Sequence, residues 1–147
     1  MSDFIEVKID NQEVKRRLQE IAKKSSNLRP LMKNIAGIFT SATEDNFAEE
    51  GRPDKWIDLS EVTKKLHKKI GKYPGKILQV TGQLASSVNT YYDDDSTVIG
   101  SNLAYAAIHQ LGGQTGKNKK VTIVARSYLN ITDEDVNEIL NTIKIYL

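Results

Sequence analysis

The chain has 147 residues, the size of one domain, and can bury a core without help from a disulfide or a metal. It has no Cys, which excludes a disulfide scaffold, a thiolate zinc site and a cysteine nucleophile. Lys and Arg outnumber Asp and Glu by 21 to 19, a net charge of +2, too even to mark a nucleic-acid binder by charge alone.

Met1-Ser2-Asp3-Phe4-Ile5-Glu6 lacks the basic and apolar regions of a signal peptide. No apolar run approaches the ~20 residues needed to span a bilayer. The expectation is a soluble chain in a cytoplasm, with no membrane partner. Residues 4–9 alternate apolar and charged side chains, the period of a half-buried strand. Asp10 with Glu13 three residues later has the spacing of a helix cap, and Val14, Leu18, Ile21 and Ala22 continue at helical spacing, predicting a helix over roughly 11–25. A second, long amphipathic helix starts near Pro30, carries Met32, Ile35, Phe39 and Ala42 on one stripe, and ends before Gly51 with Phe47 near its end.

Residues 51–80 change character. Gly51-Arg52-Pro53 and Tyr73-Pro74-Gly75 are turn signals around Trp56, Leu59, Val62, Leu66 and Ile70. Lys64, Lys65, Lys68, Lys69, Lys72 and Lys76 are opposed within 61–80 by Glu61 alone. This reads as a mobile basic insertion, a long loop with one helix capped by Ser60, inside a single domain spanning 1–147. Long insertions in compact domains are usually functional. Ser86 to Tyr92 and Thr97 to Gly100 predict a hairpin around the polar turn Asp93-Asp94-Asp95-Ser96. A short helix over Leu103–Leu111 stops at Gly112-Gly113, a Gly/Lys loop follows over 116–120, and Val121, Ile123 and Ala125 alternate as a strand. Thr132 caps a last helix, with Asp133, Glu134 and Asp135 in its electropositive first turn. The predicted class is α+β: a small, mostly antiparallel sheet of about four strands, packed against the long helix and the C-terminal helix.

The search for chemistry finds little. His67 and His109 are the two histidines, and no HExxH or comparable ligand spacing accompanies them. The residue pattern reads His109 as structural or as a cap of the helix end. No G-x-S-x-G is present, and the Gly112–Lys117 run lacks the order of a phosphate-binding loop. The acidic triplet at 93–95 lacks calcium-loop spacing. No catalytic residue, metal site or cofactor is predicted. Two basic clusters remain, Lys64–Lys76 and Lys117, Lys119, Lys120 with Arg126. Each could touch phosphates, though aromatic interleaving is thin. On the residues alone two functions stay open: a nucleic-acid-binding module using the two lysine clusters, and a small hydrolase using His109.

Four strings point elsewhere. They are Trp56-x-x-Leu59-Ser60, Leu78-x-x-Thr81-Gly82-x-Leu84, the run from Gly100-Ser101-Asn102 through Tyr105, Ile108, His109 and Gln110 to Gly112-Gly113, and Val124-Ala125-Arg126-Ser127-Tyr128-Leu129. In this order they resemble the phage virion morphogenesis family of Mu-like phages and prophages, over nearly the whole chain. That family is similar to tail-completion and head–tail joining proteins. It usually reads Ala-Arg-Pro before an aromatic, and here Ser127 stands in place of the Pro, which loosens the turn. The resemblance implies a non-enzymatic virion component that forms a ring of its own copies. Its expected partners are tail tube, tail terminator or head connector proteins, with at most a weak DNA contact. It implies a place in the host cytoplasm during assembly and at the neck or tail of the particle. Trp56, Leu59, Lys64, Lys65, Lys68, Lys69, Tyr105 and His109 are the expected partner contacts. Gly82, Gly100, Gly112 and Gly113 are assigned to backbone geometry, because glycine tolerates positive φ.

Overall fold

The computed structural model of the chain describes residues 5–6, 11–24, 27–71 and 75–146. The α+β class holds, with the strands divided between two antiparallel sheets. Strand β1 (Ile5–Glu6), helices α1 (Gln12–Lys24), α2 (Arg29–Ala48), α3 (Glu61–Lys69) and α4 (Gln83–Ser87), and strands β2 (Asn89–Tyr92) and β3 (Thr97–Ser101) come first. Helix α5 (Ala106–Leu111), strands β4 (Gly113–Thr115) and β5 (Val121–Ile123), and helix α6 (Asp133–Ile145) follow. The first sheet runs β1-β3-β2, with Ile5 opposite Ser101 and Thr90 opposite Ile99. The second is the two-stranded ribbon β4–β5, with Gln114 opposite Thr122.

Helix α2 is the spine. Its apolar stripe is wide enough to face the sheet on one side and α6 on the other, and α1 packs on α6. Leu31, Met32, Ile35, Phe39 and Phe47 are buried against Ile99, Leu129, Ile139 and Ile143. Each such side chain withdrawn from water contributes roughly 1.5–3 kcal/mol. Pro30 sits in the first turn of α2, where a missing N–H costs nothing. Thr97 Oγ1 donates to Met32 O at 2.8 Å, tying β3 to this end of the helix.

Local chemistry sets the remaining boundaries. The predicted Asp10 cap lies outside the described residues; Asn11 Oδ1 accepts from Val14 N at 3.0 Å and starts α1. The aspartate turn forms because Asp93 Oδ1 accepts from the backbone N–H groups of Asp95 and Ser96. Residues 86 and 87 depart from the predicted strand. They end α4, where Ser86 and Ser87 hydroxyls donate back to Gln83 O and Leu84 O, and buried Leu84 anchors the turn. The strand begins only at Asn89. Gly113–Thr115 also departs from expectation: the sequence placed no strand there, yet it pairs with β5. Gly-Gln-Thr has no apolar alternation, and all three residues are exposed, so the pairing left no hydrophobic signature.

Helix α6 starts at the predicted Thr132 cap, and the cap is reciprocal. Thr132 Oγ1 accepts from Asp135 N at 3.3 Å, and Asp135 Oδ2 accepts from Thr132 N at 2.9 Å. Because α6 packs on α2, losing the cap acts on the whole fold. Thr132→Ala is expected to lower the unfolding free energy by about 1 kcal/mol. Urea titration checks this, and a midpoint equal to the parent's would contradict it.

Candidate functional site

The basic segment leaves the core after Trp56 and returns at Lys76. Gly51 sets the departure. Its φ is +115°, and a Cβ there would lie 2.5 Å from Trp56 N, so the chain can turn this tightly only at glycine. Trp56 then folds back, its ring edge-on to Phe47 at 5.8 Å and its Nε1 donating to Ser127 O at 3.3 Å. Beyond it, Arg126 donates through Nε to Ile57 O at 2.8 Å and through Nη2 to Asp58 O at 3.2 Å. Lys64 reaches back to Asp58 at 2.9 Å. That contact holds the Asp58 carboxyl below its ordinary range and the Lys64 ammonium above its own. On return, Lys76 Nζ and Gln79 Nε2 donate to the α2 carbonyls of Ala48 and Phe47, satisfying acceptors the helix leaves open. Ile77 is buried there, so this end of the insertion is firmly packed.

Helix α3 spans the interval. Ser60 Oγ accepts from Thr63 N at 3.2 Å, and Lys68 and Lys69 occupy the electronegative last turn. No residue of α3 is buried. Val62 and Leu66, with Ile70 just beyond the last turn, form a ridge and are 69%, 58% and 63% exposed. Three large apolar side chains at i, i+4 and i+8 share one face, and within this chain that face meets water.

Beside the arm lies a groove of about 660 Å³, between residues 57–67, the start of α5 and the β4–β5 ribbon. Leu59, Leu84, Tyr105, His109 and Arg126 line it, and His67 reaches it from α3. Tyr105 OH donates to Gln83 Oε1 at 3.0 Å, and its ring meets His109 edge-on at 5.7 Å. His109 Nδ1 is buried without a hydrogen-bond partner among the described residues. Burial, and then the Arg126 charge, push the imidazole below its ordinary pKa of 6.5. Burial thus favours the neutral ring over the charged one; Gly112, with φ +74°, closes α5 by donating to Ile108 O at 2.7 Å.

The linkage has a definite sign. The unfolded chain protonates His109 first, so stability is complete above pH 6.5 and is lost as pH falls through the unfolded and then the folded value. His109→Phe, which keeps the ring contact and removes the proton site, should lose less melting temperature than the parent on acidification below 6.5. Identical slopes for the two proteins would contradict this.

Ser60 Oγ is engaged with Thr63 Oγ1 at 2.9 Å rather than with a base. Among the described residues no group of three or more His, Asp or Glu could hold a metal ion. Of the expected contact residues, Leu59, Tyr105 and His109 converge on the groove. Lys65, Lys68 and Lys69 stand exposed on α3, while Lys64 is drawn to Asp58 and Trp56 is half-buried on the core. Gly82 and Gly113 have φ of +74° and +148°. Gly100 differs from its assignment: it lies inside β3, opposite Asn89, and is not among the positive-φ glycines.

The sequence reading missed a second feature. Segments 52–58 and 124–130 run side by side, joined by Asn130 Nδ2 to Arg52 O at 2.7 Å, by Trp56 to Ser127, and by Arg126 to Ile57. The groove lies at the Arg126 end. At the Asn130 end is an open cleft of about 490 Å³ with Glu49, Asp133 and Glu134 on its rim and Pro53 and Ile131 beside them. Beneath it Asn46, 0% exposed, donates to Tyr128 O and Asn130 O and accepts from Arg52 Nε. Arg52 also bonds Asp135 at 3.0 Å. The available signal was Asn46 itself, a polar residue on the apolar stripe, seven positions after Phe39 and four after Ala42.

The family model for phage virion morphogenesis matches residues 9–147. The chain belongs to the phage virion morphogenesis family. It is 37% identical over 144 residues to "Mu-like prophage FluMu G protein 2" of Haemophilus influenzae, covering 97% of this chain and 96% of that protein. It is 30% identical over 148 residues to "Putative capsid assembly protein G" of Escherichia phage Mu, covering 98% and 94%. No solved structure matches. The sequence-level departure at Ser127 has a structural counterpart: its hydroxyl accepts from Gln110 Nε2 at 2.9 Å, linking α5 to the 124–130 segment through a side chain that Pro lacks. No helix among the described residues is long and apolar enough to cross a membrane.

Proposed function

We propose that the chain is a structural component of Mu-like virion assembly that acts without making or breaking bonds, at tail completion or head–tail joining, as a ring of its own copies. Its partners in this reading are tail tube, tail terminator or head connector proteins, and it works in the host cytoplasm before becoming part of the neck or tail. Family membership and two relatives similar over almost their whole length support the assembly role. One of those relatives carries capsid assembly in its name.

The observation that carries the joining role is α3. Nine residues are well below the ~12–15 at which an isolated helix becomes marginally stable, and this helix buries nothing in its own chain. A capped, lysine-rich helix with an uncovered apolar ridge is suited to becoming ordered on a neighbour, as segments that fold on assembly do. Deleting the gene from an inducible prophage, inducing, and examining particles by electron microscopy tests the reading. Unattached heads and tails, rescued by the wild-type gene in trans, are expected. Infectious particles in normal number without the gene would overturn it.

A further inference from the structure

Charge is distributed very unevenly in this chain. Residues 57–81 and 113–126, the arm and the ribbon, carry ten Lys and Arg against Asp58 and Glu61, a local charge of +8. The remainder of the chain is therefore at −6, although the whole is only +2. Residues 44–55 and 133–135 alone hold eight Asp and Glu against Arg52 and Lys55. The stitched segments 52–58 and 124–130 put the acidic cleft at one end and α3 with the groove at the other, while Lys76, where the arm returns, and Lys55 sit on the carbonyls of Ala48 and Glu49.

We infer that the α3 arm of one copy docks into the acidic cleft of the next copy. Lys65 and Lys69 follow Val62 by three and seven residues, so they flank the exposed ridge on one helix face. Glu49, Asp133 and Glu134 rim the cleft, where the lining cation, Arg52, is paired with Asp135, and Pro53 and Ile131 lie beside them to receive apolar side chains. The charge signs match between arm and cleft and clash between arm and arm. Two different patches meet, so the contact is heterologous and propagates from copy to copy, closing into a ring where the rotation allows. The inference rests on the self-assembly part of the reading above and names the surfaces through which it occurs.

A charge-swap cycle tests it, with molar mass followed by light scattering across concentration at low salt. Lys65→Glu with Lys69→Glu, and separately Glu49→Lys with Glu134→Lys, should each weaken association by about tenfold or more. All four positions are exposed; reversing Lys69 and Glu134, which sit at helix ends of favourable sign, should lower the melting temperature slightly, and a large drop would report a folding defect. Combining the four changes in one chain restores opposite signs and should bring association back to within a few fold of the parent. Added salt should weaken the parent assembly. A parent that assembles while either pair of reversals leaves association unchanged, or a combined variant that fails to recover, would overturn the arm-in-cleft contact alone. A parent that stays monomeric at every concentration would overturn the self-assembly reading with it.

Discussion

Asn46→Ala is expected to cost about 3 kcal/mol of unfolding free energy, because it breaks three hydrogen bonds of a buried side chain at once. The side chain is fully buried. Its Nδ2 donates to Tyr128 O at 2.8 Å and Asn130 O at 2.9 Å, and its Oδ1 accepts from Arg52 Nε at 2.8 Å. Removing it leaves two carbonyls and one guanidinium N–H without partners, and each buried unpaired group costs about 1–3 kcal/mol. Arg52 keeps Ala42 O at 3.0 Å and Asp135 at 3.0 Å, which limits the loss. For a chain of this size the change corresponds to roughly 6–12 °C in melting temperature. Asn46→Asp should not rescue stability: it still accepts from Arg52, but sets an oxygen against two carbonyl oxygens. Urea and thermal unfolding of both variants decide the matter, and a loss below about 0.5 kcal/mol for Asn46→Ala would show that Asn46 is replaceable by solvent.

The same residue shows why the architecture was easier to read than the site. Elements with strong periodicity were legible because their burial is written at fixed spacing. Leu31, Ile35 and Phe39 announce α2, and Thr132 with Asp135 announces the start of α6. The Ser60 cap of α3 was visible because a capping hydroxyl lies three residues from the amide it satisfies. What the sequence did not disclose depends on partners distant along the chain. Asn46 and Asn130 are 84 positions apart, and Arg126 clamps Ile57 from 69 positions away. Strand β4 exists through its pairing with β5. The departure at Ser86 and Ser87 is local: they end α4 with their hydroxyls on carbonyls three residues back. The basic arm was visible as composition, but the acidic cleft was not. Its carboxylates come from Glu49, just past α2, and from the first turn of α6, which alone reads as the acidic start of a helix.

Tyr128→Ala should be more damaging still, with an expected loss of about 3–5 kcal/mol, the range for deleting a fully buried aromatic ring. Tyr128 is 0% exposed and lies 5.5 Å from Phe47, so truncation opens a cavity beneath the end of α2. Its phenol donates to Ala106 O at 2.7 Å, and burial pushes its pKa well above the ordinary value, so it remains a proton donor throughout the working range. Tyr128→Phe separates the two contributions. It keeps the ring and removes the donor from buried Ala106, with an expected cost of about 1–2 kcal/mol. Because Ala106 opens α5, that loss should also loosen the wall of the groove that carries Tyr105 and His109. Amide hydrogen exchange provides the local readout: in Tyr128→Phe, protection should fall at Gly112 N, which closes α5 on Ile108 O, more than in α2. A uniform loss of protection across both helices would mean that the phenol supports the core as a whole rather than the seating of α5.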